Sequence, residues 1–158
     1  MSGYSTTSEA VYKTLCADEL LLDLLEFIEP EGEEDPDYRI FSGWPEGEEI
    51  PLTADQPAYL IITNESDSSI GVYGQDELFQ IRVVALGHDL CEDLKDRLFK
   101  IIQREFSFIN ESRFTAASER IQLGGGRPMA GPILNTKSQG SEFWSVNVRF
   151  SLETVTKG

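Results

Sequence analysis

The sequence predicts a single α+β domain in which a mainly antiparallel sheet is packed on one face by two helices. Three observations carry that expectation. Residues 144–152 alternate strictly: Trp144, Val146, Val148, Phe150 and Leu152 point one way, and Ser145, Asn147, Arg149 and Ser151 the other, the period of a half-buried strand. Residues 89–106 place Leu94, Leu98, Ile101 and Ile102 on one helical stripe, a natural cover for such a strand. The order helix, strands, helix, strands segregates the helices instead of alternating them with parallel strands. The 158 residues fit one domain with a core that needs neither disulfides nor metals.

Taken in order, Thr6 and Glu9 have the spacing of a capping box. Val11, Leu15, Leu22 and Leu25 then share an apolar helical face through Ile28. Asp18 suits the N-cap of a second short helix, so the segment breaks near Ala17, and Pro30 ends it. Residues 29–56 read as a long acidic connection holding a short strand over Tyr38-Arg39-Ile40-Phe41 and an anchor at Trp44. Connections of this length inside a compact domain are uncommon and often functional.

Residues 57–63 are a strand by β-branched and aromatic content, 64–74 a polar loop, and 77–86 a second strand. In the latter, Phe79, Ile81, Val83 and Ala85 fall on one face, although Val84 and Leu86 blur the alternation. Asp89 with Glu92 starts the long helix, and Lys100 and Arg104 near its end complement the helix dipole. Arg113 to Leu123 reads as an imperfect strand. Residues 124–141, opening Gly124-Gly125-Gly126-Arg127-Pro128, read as a mobile loop.

The formal net charge is −15, the wrong sign for a general nucleic-acid binder or for attachment to anionic lipid. The charge is uneven: residues 1–79 hold nineteen acids against two bases, net −17, while residues 80–158 are net +2. Beyond solubility, that asymmetry suits acidic and less acidic faces meeting between neighbouring subunits, or an acidic face lining a channel. No apolar run reaches bilayer-spanning length and no secretory signal is visible, so synthesis in the cytoplasm is the default expectation. Cys16 and Cys91 read as two reduced core thiols.

Residues with catalytic potential are few. His88 is the sole histidine, no nucleophile elbow accompanies it, and Cys91 falls on an inward helix face. The common zinc patterns are excluded. Glu31 to Asp37 lacks the spacing of an EF-hand calcium loop. The glycine run lacks the Lys-Ser/Thr ending of a phosphate loop, and Pro128 removes a needed N–H. The expectation is a non-enzyme with no cofactor and no metal.

Four segments resemble the tail terminator (tail-completion) family of long-tailed phages: the opening helix through Val11-Tyr12-Lys13-Thr14-Leu15-Cys16-Ala17-Asp18-Glu19-Leu20; Tyr38-Arg39-Ile40-Phe41 followed by a proline-rich loop and Pro57-Ala58-Tyr59-Leu60-Ile61-Ile62; Phe79 to Leu86 with a short polar link into the helix near Asp89; and Trp144 to Phe150. The resemblance lies in order, spacing and character. The acidic connection is longer than the family's, and the glycine-rich segment is a departure from it.

The resemblance implies a hexameric ring on the head-proximal end of the tail tube, within the virion at the head–tail junction. Its partners would be further copies of the chain, the tube protein and the head connector or stopper protein. Genomic DNA would pass through the lumen without specific binding, and no membrane would be involved. On that basis Glu31, Glu33, Glu34, Asp35 and Asp37 are expected to face the lumen, or else the 64–77 loop does. Arg113, Arg120 and Arg127 are expected at subunit interfaces. A neck or head-completion protein is the nearest alternative, and a small ligand-binding or regulatory α+β domain is the alternative of another class.

Overall fold

The structure, a computed structural model, describes residues 7–43, 50–69, 74–106, 120–125, 127–138 and 140–156. Helix α1 (Thr7–Cys16) and the short α2 (Glu19–Leu24) precede strands β1 (Ile40–Ser42), β2 (Ala58–Ser69) and β3 (Gly74–Ala85). Helix α3 (His88–Phe106) is followed by β4 (Arg120–Gly125), β5 (Met129–Ala130), β6 (Leu134–Ser138) and β7 (Ser141–Thr156). The sheet runs β1-β2-β3-β7, and β4, β5 and β6 follow one another along the far side of β7. All pairings are antiparallel except β1 with β2. This is the expected α+β architecture.

The break between the first two helices falls where the sequence placed it. Asp18 caps α2, its side chain accepting the Leu21 N–H. The break resets the helical phase, so Leu21 and Leu25 are buried with Val11 and Leu15, whereas Leu22 is half-buried and Ile28 is exposed. Extending one helical face from Val11 to Ile28 is therefore wrong past Cys16. Helix α2 also stops before Pro30. Glu26 takes φ 55°, and Glu26 and Phe27 donate back to the Asp23 and Leu22 carbonyls, the Schellman geometry that turns a chain out of a helix. Thr6, the other half of the expected capping box, lies outside the described residues.

One hydrophobic core joins all three helices to one face of the sheet: Val11, Leu15, Leu21, Leu94, Leu98 and Ile102 meet Leu60, Ile62, Phe79, Ile81, Val83, Val148 and Phe150. Phe79 and Phe150 are register partners with stacked rings, centroids 5.5 Å apart. A smaller cluster on the opposite face explains the blurred alternation of β3. Tyr59, Ile61 and Val84 are buried there against Phe41, Ile50, Leu52 and Phe143, so part of β2 and β3 is apolar on both sides.

Three expectations are corrected. Residues 64–69 and 74–77 do not form a loop; they extend β2 and β3 into a long arm, with a register shift between Asn64 and Ser66. Segment 124–141 is not a loop throughout: Gly124 and Gly125 belong to β4, and residues 129–130 and 134–138 pair with β7. Finally, α3 begins at His88, and the Gly87 carbonyl accepts the Cys91 N–H; Asp89 sits inside the first turn instead of capping it. Trp44 lies outside the described residues.

Candidate functional site

Glu31, Glu33, Glu34, Asp35 and Asp37 are all exposed on the connection between α2 and β1. Stacking of Phe27 on Tyr38, centroids 4.9 Å apart, closes the base of that connection, and Gly32 turns it at φ 72°. The segment ends on Arg39, whose backbone N–H donates to Asp37 Oδ1 and whose carbonyl accepts the Leu60 N–H. This fixes the segment beside β1, one edge of the sheet.

Arg39 itself is buried, and at φ 60° its backbone is strained for a residue with a Cβ. Its guanidinium donates to the Pro51 carbonyl and lies 5.8 Å from the Tyr59 ring centroid. Burial pushes its pKa down from the ordinary arginine value. It ties the start of β1 to the 50–57 connection, a role that its sequence position did not reveal.

Of the expected interface arginines, Arg127 is exposed just before β5. Arg120 opens β4, where its backbone pairs with Thr156. Both therefore belong to the β7 side of the sheet, the edge opposite β1. Arg113 lies outside the described residues. Along this same edge Met129 is 70% and Leu134 55% exposed, unusual for large apolar side chains; composition had hidden them inside a glycine- and proline-rich stretch.

A charged cluster sits between helices. Asp18 accepts two bonds from Arg97, at 2.8 and 2.7 Å, and one from Arg104 at 3.2 Å. The Arg97 hydrogen bond, above all, holds the Asp18 carboxyl down at about 2. The sequence reading saw Asp18 as a cap and missed the pair. Arg97 and Arg104, seven residues apart on one helix face, were the available signal.

The candidate reactive groups are arranged as follows. Burial pushes the Cys16 and Cys91 thiols up to about 11, which keeps them protonated at neutral pH and weakly nucleophilic. The exposed His88 ring packs edge-on against Trp144, 5.0 Å between centroids. Its Nδ1 lies 3.4 Å from Asp89 Oδ1 and 3.9 Å from Glu92 Oε2. These three exposed side chains bring ligand-type atoms within 4.8 Å of one another, a grouping that the sequence reading did not single out.

The sequence matches no protein-family profile and no curated protein. The fold does have a counterpart among solved structures. A chain of the structure described as "Virion of native gene transfer agent (GTA) particle" superposes with a TM-score of 0.57 over 94% of both chains, at 17% sequence identity. At that identity the likeness establishes a shared fold.

Proposed function

We propose that the chain is a structural subunit of a tailed-phage-like virion. More specifically, it forms a closed hexameric ring that caps the head-proximal end of the tail tube and joins it to the head connector. The observation that carries this reading is the full-length fold likeness to a virion chain. The four-segment sequence resemblance supports it. Tube subunits stack by heterologous contacts, which continue until a cap that matches the tube below but not another layer above blocks them.

In this reading the chain is not an enzyme. Its half-buried Cys16, buried Cys91 and exposed lone histidine suit packing and solvation better than catalysis. The acidic half has two uses in a ring. Acids facing the lumen let DNA pass without adhering. Acids beside β1 also suit contact with the less acidic half of the next subunit.

Deleting the gene in its own particle should yield tails much longer than normal. Tails of normal length that lack heads would instead assign the chain to the neck.

A further inference from the structure

We infer that the β5–β6 edge of one chain docks the acidic segment 29–37 of a second copy of this chain. The inference rests on the ring reading and deepens it by naming the contact. The two flanks lie at opposite edges of one sheet, since segment 29–37 leads into β1 whereas β5 and β6 border β7. Two different flanks that fit each other make a heterologous contact, and such contacts form a ring when the rotation between copies closes.

The flanks are complementary in charge. Residues 29–37 carry Glu29, Glu31, Glu33, Glu34, Asp35 and Asp37 with no base among them. On the other flank Arg127 and Lys137 are exposed, and neither makes an ion pair among the described residues. Glu142, the register partner of Lys137, is the acid on that edge, and Asn135 donates to it at 2.9 Å. Arg149 is engaged with Gln80 and Glu65, so among the described residues of that flank Arg127 and Lys137 are the cations open to a partner.

The flanks also match in apolar surface. Ile28, adjoining the acidic segment, is 73% exposed, and Met129 and Leu134 are the exposed apolar side chains of the β5–β6 edge. Apolar anchors rimmed by opposite charges are the usual anatomy of a specific contact. Pro128 and Pro132 flank β5 and lack the N–H groups that a continuing strand ladder needs. Around β5 the contact is therefore made by side chains, not by adding a strand.

The test uses the full chain and two charge reversals, followed by analytical ultracentrifugation at low and high salt. One variant carries Arg127→Glu and Lys137→Glu; the other carries Glu31→Lys, Glu33→Lys, Glu34→Lys and Asp35→Lys, which turns segment 29–37 from six acids into four bases against two acids. The wild type should self-associate, more weakly as salt rises. Each variant alone should lose association at least tenfold. Mixed in equal amounts they should associate again, because every contact in an alternating ring then pairs opposite charges.

Wild-type rings unaffected by either reversal would overturn the proposed contact and leave the ring reading intact. Loss without rescue on mixing would also overturn it, provided circular dichroism shows both variants folded. A wild type that stays monomeric overturns the contact between free copies; tail length in the deletion particle then judges the capping role separately.

Discussion

At the scale of single residues, Asp18 does two jobs. It caps α2 and neutralises two α3 arginines, so one carboxylate fixes the helices to each other. Its folded-state pKa is depressed to about 2, below the ordinary value of roughly 4. Its stabilisation is therefore fully present above about pH 4 and is lost as pH falls toward 2. Asp18→Asn should cost about 2 kcal/mol in urea unfolding at pH 7, and the gap from wild type should narrow at pH 2–3. Phe79→Ala, which opens a cavity against Phe150, should cost about 3–5 kcal/mol by the same measurement. The cap was legible in the sequence because Asx residues before an apolar run have a local signature. The ion cluster was not, because it joins positions 79 and 86 residues apart.

At the scale of elements, local pattern set the helices and strands, and tertiary pairing set their ends. The apolar periodicity of 144–152 and 89–106 survives in β7 and α3. The polar residues 64–69 read as a loop because Ser, Asp and Asn disfavour strands, yet pairing with β3 holds them in one. Likewise glycine and proline in 124–141 hid β5 and β6, which exist through their ladder with β7 and not through propensity. Glu26 pays for the Schellman turn at α2 with a left-handed backbone. Glu26→Gly should therefore raise stability by about 0.5–1 kcal/mol. By contrast, Met129→Ser with Leu134→Ser should change thermal stability little, since both side chains are exposed. The same pair should weaken self-association if the edge is a docking surface.

At the scale of the whole molecule, the charge asymmetry of the sequence became spatial. The acids of 29–37 stand beside one edge of the sheet, and Arg127 and Lys137 stand on the other. Composition left a channel wall and a neighbouring subunit both open to the acidic face, and the family resemblance pointed these acids to the lumen; only strand order tells which edge a segment borders. A subunit with unlike edges is suited to ring closure, and a ring is suited to ending a tube. Tail length decides between this and a neck role. In particles assembled without this chain, negative-stain microscopy should show tubes extending well beyond the normal length; tails of uniform normal length would contradict the proposed capping function.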